Sequence, residues 1–231
     1  MPTNFSDVLT GAVMQDVDDV RWQDQLATNP ALFFRSKSQL LMNAVPRFNK
    51  PPEMEEWLAY TEPSYDEYSY TATSPEVAPI TIQTGKTGFD LCSGGIVTKG
   101  SNTVSYTPVE VSYDAETGDV VINTGLSGGQ TVDFDFYTDG YFENDLTQRQ
   151  QRILGMCVAY DWYRQFAATY LGITPKIIDP KFKINGTESG KIRADSERMR
   201  YLEEQLNGEL NNYERACAYA KRVPDSRKIY P

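Results

Sequence analysis

Apolar residues recur along this chain at two different periods, and the switches between them divide it. Near the start, Val8, Leu9, Ala12, Val13 and Met14 show helical spacing interrupted by Gly11, which predicts only a short helix. At Asn29-Pro30 the signal is stronger, because Asn caps a helix well and Pro fits its first turn. Leu32, Phe33, Leu40, Leu41, Ala44 and Val45 then follow at helical spacing until Pro46 stops the run, and Pro51-Pro52 is a further break. Glu53 to Tyr60, with Trp57 and Leu58 apolar, has room for one or two helical turns.

After Pro63 the helical period disappears and residues 64–140 hold most of the Gly, Thr and Ser and six of the fifteen Tyr. Val109 to Tyr113 and Val120 to Asn123 are β-rich runs flanking Asp114-Ala-Glu-Thr-Gly118-Asp119, a hairpin signal in which Gly supplies the positive φ of the turn. Gln130 to Tyr137 alternates strictly, placing Val132, Phe134 and Phe136 on one face and Asp133 and Asp135 on the other. Short strands separated by Gly-rich turns predict a small, sandwich-like antiparallel domain.

Helical spacing returns at Thr147, where Thr147 and Gln150 form a capping box. Ile153, Leu154, Cys157, Val158, Tyr160, Ala167, Tyr170 and Leu171 make a broad apolar stripe that ends at Gly172. A loop is expected from Pro175 to Gly190, then a last helix from about Asp195 to Lys221. Its apolar positions Met199, Leu202, Leu206, Leu210, Tyr213 and Cys217 form a seam suited to one partner helix, expected to be the preceding long helix in an antiparallel pair.

The fold expected is therefore α+β, a helical bundle with long antiparallel helices and an inserted β-domain. Its parts are a helical segment over 1–63, the β-domain over 64–140, a helical hairpin over 141–222 and an extended arm over 223–231.

Charge narrows the partners. The net charge is −10, which repels free nucleic acid and anionic membrane. The acidity is uneven: residues 1–70 hold eleven acids against five bases, while Lys221 to Lys228 is basic, so one end of a copy is able to attract the other end of its neighbour. Three scattered cysteines without a C-x-x-C pair point to reduced thiols in a cytosolic setting. With no leader-like or bilayer-spanning stretch, synthesis in the cytoplasm and no membrane partner are expected.

Catalytic chemistry finds little support. The chain has no His, which removes Ser-His and Cys-His nucleophiles and most zinc sites. Gly85-Lys86-Thr87 ends like a phosphate-binding loop, but Ile80 stands where the motif needs Gly, and a strand rather than a helix is expected to follow. Asp133, Asp135, Asp139, Glu143 and Asp145 are able to gather a hard cation or act as paired carboxylates, yet the spacing is not that of a dedicated loop, and a solvated or interfacial acidic face is the simpler reading. Trp57, Tyr60, Tyr65, Tyr68 and Tyr70 offer a stacking surface for sugars or bases, against a default of core and interface packing. No catalytic, cofactor or metal residue is assigned, and no cofactor is expected.

Leu32-Phe-Phe34, Leu40-Leu-Met-Asn-Ala44-Val-Pro-Arg-Phe48, Asp139-Gly-Tyr-Phe142-Glu-Asn-Asp145-Leu146-Thr147 and the helix carrying Ile153-Leu154-Gly155-Met156 and Tyr160-Asp-Trp162 together resemble the head–tail connector adaptor (head-completion or neck) proteins of tailed bacteriophages. The resemblance covers the two helical parts, about half the chain; residues 64–140 are longer than the family's usual connection. It implies a virion structural protein forming a closed ring of identical subunits, commonly twelvefold, with the portal protein above, a tail-side protein below and DNA passing through without specific binding. It also implies that the C-terminal arm, with Arg222, Arg227, Lys228, Ile229 and Tyr230, docks on the portal. Met199, Leu202, Leu206, Leu210 and Tyr213 would serve helix packing. The alternatives are a carbohydrate- or receptor-binding β-module on a helical stalk, and an enzyme using Asp133, Asp135 or Asp139.

Overall fold

The computed structural model describes residues 2–17, 20–99, 104–173 and 186–222. The chain opens with strand β1 (Thr3–Asn4), a helical run comprising α1 (Phe5–Asp7), a wider turn Val8–Ala12 and α2 (Val13–Asp16), then α3 (Val20–Thr28) and α4 (Pro30–Ala44). A 3₁₀ turn Val45–Arg47, α5 (Met54–Trp57) and β2 (Tyr60–Thr61) follow. Next come β3 (Ser64–Thr71), β4 (Ile80–Gln83), β5 (Leu91–Lys99), β6 (Val104–Val109), β7 (Val111–Tyr113), β8 (Asp119–Ile122), β9 (Thr131–Thr138) and β10 (Tyr141–Phe142). Helices α6 (Gln148–Ile173) and α7 (Gly186–Arg222) complete the order.

Two compact units emerge: residues 1–18, 39–60 and 142–231 form the helical unit, and residues 19–38 and 61–141 the β-unit. The helical unit is organised around α6. Ile153, Leu154, Cys157 and Val158 are fully buried, and Phe5, Val8, Leu9 and Val13 of the opening run are buried with them. Gly155 is what lets the opening run close on α6. A Cβ there would lie 2.9 Å from the carbonyl carbon and Cβ of Ala12, a distance real side chains do not tolerate. The start of α6 is held by the capping box: Gln150 N–H donates to Thr147 Oγ1 at 3.3 Å, and Gln150 Oε1 accepts from Thr147 N–H at 2.7 Å. The same amide donates through Nε2 to Tyr213 OH of α7 at 2.8 Å, with Gln150 only 1% and Tyr213 0% exposed. Leu202, Leu206, Leu210 and Cys217 continue the buried seam of α7. Between β10 and α6, Asn144 Nδ2 donates to Trp57 O at 2.8 Å and Leu146 N–H donates to Thr3 Oγ1 at 2.8 Å, which supplies partners for polar groups that burial would otherwise orphan.

In the β-unit two antiparallel sheets share one core. One has the order β3-β9-β5-β6 and the other β4-β8-β7. Val132, Phe134 and Phe136 of β9 point inward with Ile80, Ile82, Val120 and Ile122 of the smaller sheet. The strict alternation along β9 dictates this, since a pleated strand sends successive side chains to opposite faces. The β7–β8 hairpin pairs Val111 with Ile122 and Tyr113 with Val120, and Gly118 turns it at φ +75°. Asn29 caps α4 by accepting from Leu32 N–H at 3.0 Å, and its Nδ2 reaches across to Asp135 Oδ2 at 2.6 Å and Tyr106 OH at 3.0 Å. Gly95 makes room for the Tyr106 ring, which would sit 2.2 Å from a Cβ at that position. At the sheet's outer strands, Glu67 N–H of β3 donates to Asp66 Oδ1 at 2.8 Å, and β6 carries Pro108.

The expected bundle of long antiparallel helices is not what forms. The molecule is α+β with mostly short helices and three small antiparallel sheets, the third being the two-residue strands in the order β1-β10-β2. The reason lies in the breakers. Pro46 and Pro51-Pro52 end the helical period of the first third after α4, and the run around Gly11 spans only Phe5 to Asp16, so α6 and α7 pack against each other and against shorter helices, with no further long helices to complete a bundle. The last helix also begins at Gly186, earlier than its apolar seam predicts, because a polar first turn leaves no mark on hydrophobic spacing.

Replacing Gln150 by Ala strands the Tyr213 hydroxyl and the Thr147 amide, and is expected to cost about 2 kcal/mol. Gly155→Ala, which drives a methyl into the Ala12 backbone, is expected to cost about 1–3 kcal/mol. Chemical denaturation followed by circular dichroism measures both, and wild-type stability in either variant would show that these contacts do not govern the unit.

Candidate functional site

One fixed, partly open cation of the helical unit is Arg47, at the end of the 3₁₀ turn that Pro46 forces on the chain after α4. Its Nε donates to Asp161 Oδ2 of α6 at 2.8 Å and its Nη2 lies 2.7 Å from Oδ1, a forked pairing that planar guanidinium geometry favours. The guanidinium also lies over the Tyr160 ring at 4.9 Å. This bond to Asp161 holds the Arg47 pKa above its ordinary value, against the cost of burial.

Arg47 is shared by two hollows. One, of about 410 Å³, is floored by Leu206 and Leu210 of α7 and walled by Pro46, Lys50 and Tyr160. The other, of about 330 Å³, is lined by Leu40 and Asn43 of α4 and by Asp161, Arg164 and Gln165 of α6. Amide side chains, Asn49 and Asn207 on one side and Asn43 and Gln165 on the other, supply hydrogen-bonding groups along the rim. Lys50 Nζ donates to Asn211 Oδ1 at 2.9 Å, a neutral partner that leaves its charge uncompensated.

The residues singled out in sequence fall in several places. Leu202, Leu206, Leu210 and Tyr213 are buried and Met199 is half-buried along one face of α7, where they pack inside their own chain. Arg222 ends α7, and Arg227, Lys228, Ile229 and Tyr230 lie outside the described residues. Asp133 accepts from Ser69 Oγ at 2.5 Å, Asp135 is held by Asn29, and Asp139 accepts from Tyr137 OH at 2.9 Å, so each carboxylate of the acidic strand is engaged locally. Among the described residues no group of three metal-type ligands comes together.

The aromatic stretch does not form one platform. Tyr60 packs edge-on against Phe5 with centroids 5.7 Å apart, Tyr65 lies under Arg35 at 4.0 Å, and Tyr68 and Tyr70 pack on the β-unit core. Lys86 of the Gly-Lys-Thr segment is paired with Asp66 and no helix follows it, so the loop is a strand connection. Burial pushes the Cys92 and Cys157 thiols up to about 12 and the Cys217 thiol upward as well, which keeps all three protonated at neutral pH. No described helix is long and apolar enough to cross a membrane.

Sequence reading missed Arg47, Asp161, Lys50 and Arg164 as a group. Arg47 and Asp161 are 114 positions apart, and the only local signal was a Pro immediately before a charged residue. No family model matches the chain, and neither a curated protein nor a solved structure does.

Burial raises the Asp135 carboxyl pKa, outweighing the Asn29 hydrogen bond that lowers it. The folded chain therefore keeps this proton to higher pH than the unfolded chain, and the stability contributed is complete below the ordinary carboxylate range and lost as pH rises through the raised value. Asp135→Asn retains an acceptor for the Asn29 amide and removes the buried charge. Its thermal midpoint is expected to exceed wild type at pH 7 and to converge with it toward about pH 4; a lower midpoint at both pH values would refute this account.

Proposed function

We propose that this chain is a structural virion protein that forms a ring in the head–tail connector of a tailed phage, between portal and tail-side protein, as part of the DNA conduit. The observation that carries the reading is where most residues of the resemblance sit: those from Leu40 to Phe48 and from Phe142 to Trp162 belong to the helical unit, while Leu32 to Phe34 and Asp139 to Tyr141 belong to the β-unit. Phe142 and Leu146 are buried, Thr147 caps α6 through Gln150, and Ile153, Leu154, Leu41, Ala44 and Phe48 are buried in the same unit. Segments far apart in sequence thus serve one helical core.

Charge supports the same reading. The β-unit holds fourteen Asp and Glu against five Lys and Arg, whereas the helical unit is nearly balanced at eighteen against seventeen. A wall with that surplus repels a passing phosphate backbone, as a conduit must. The buried seam of α7 is satisfied on α6, so contacts between subunits are assigned to the outer polar surfaces and to the arm over 223–231 rather than to Leu202, Leu206, Leu210 and Tyr213. The ring is proposed to assemble on virions after synthesis in the host cytoplasm.

Electron microscopy of the purified protein and of particles tests the proposal. A ring with central symmetry, commonly twelvefold in such connectors, placed at the neck is the expected result, together with no retention of duplex DNA in a mobility assay. A compact monomer in micromolar solution and no copy at the particle neck would overturn it.

A further inference from the structure

We propose that the groove across Arg47 is the docking site for the acidic β-unit of a second copy of this chain. The inference rests on the connector reading for ring closure and adds to it which surfaces meet. The first observation is electrostatic. Arg35, Arg47, Lys86, Arg149 and Lys221 each face a carboxylate of their own chain. Lys50 and Arg164, one in each hollow beside Arg47, have no ion pair among the described residues, and Arg164 is exposed. The groove thus sets three cations in a row, with Glu203 as its exposed carboxylate and Asp161 already taken by Arg47.

The second observation is preorganisation. Asp161 takes two of the five guanidinium N–H groups, and Tyr160 supports the plane, so Arg47 is oriented before a ligand arrives. Asn49 and Asn207 add amide groups at the rim of the hollow beside Lys50.

The third is the complement. The β-unit carries nine more acids than bases, and the β7–β8 turn exposes Asp114, Ala115, Glu116 and Thr117 together. A contact of helical unit on β-unit joins two different surfaces, the heterologous kind that closes into a ring when the rotation per subunit permits. Exposed charges carry much of it, so it is sensitive to salt.

Sedimentation of the full chain at low and high salt tests this, using Lys50→Glu with Arg164→Glu, and Arg200→Glu with Arg215→Glu as a control that changes net charge equally on exposed positions of α7 outside the groove. Wild type and control are expected to associate similarly, with the groove variant weakened by about tenfold or more and raised salt weakening wild type in the same direction. If the glutamates prevent folding, by circular dichroism, Lys50→Gln with Arg164→Gln replaces them. A groove variant that associates like wild type overturns the inference, as does a wild type monomeric at all salt concentrations. Normal rings from the groove variant sink the docking site alone; absence of wild-type rings in solution and in particles sinks the connector reading as well.

Discussion

Gln150 sits in the first turn of α6 with its amide shut off from solvent, and both ends of that amide are used within the chain: the oxygen by Thr147, the nitrogen by Tyr213. An amide in that position has to be matched on each side, because an unpaired buried donor or acceptor costs more than a matched pair contributes. The consequence is register. α7 has one placement along α6 at which Tyr213 meets Gln150, and with it Leu202, Leu206 and Leu210 drop into the seam. Apolar side chains alone would accept neighbouring registers at small cost, since hydrophobic burial has no direction. The hollow floored by Leu206 and Leu210 inherits its geometry from that alignment.

Among its described residues the helical unit buries most of its large apolar side chains within the chain, with Tyr201 and Tyr219 of α7 left exposed. The uneven distribution of acid makes the two units unlike in charge, nearly balanced in the helical unit and strongly acidic in the β-unit.

Much of the local structure was legible in the chain. Asn29-Pro30 opens α4, Thr147 and Gln150 form the capping box, the alternation along β9 buries Val132, Phe134 and Phe136, and Gly118 turns the β7–β8 hairpin. These are short-range facts, written within a few residues of one another. What was not legible depends on distance. Helical spacing shows that a segment has an apolar face but not how many such faces meet, so the bundle expected from these runs does not form where Pro46 and Pro51-Pro52 end the helical period after α4. Gly155 looked like any helical glycine until Ala12 was found against it. Asn29 looked only like a cap, although its second amide hydrogen bond to Asp135 ties helix to sheet. Of the groove cations, Arg47 and Lys50 come from the segment after α4 and Arg164 from α6, and no spacing rule links the two segments.

The outer strands of the larger sheet carry a consequence of another kind. β3 folds the Asp66 carboxylate back onto the Glu67 amide, and β6 places Pro108, which has no N–H to offer, within its length. A sheet border that answers its own hydrogen-bond donors is a poor template for a foreign strand. These two small devices make strand addition at the sheet's borders unfavourable and guard the fold against edge-to-edge aggregation.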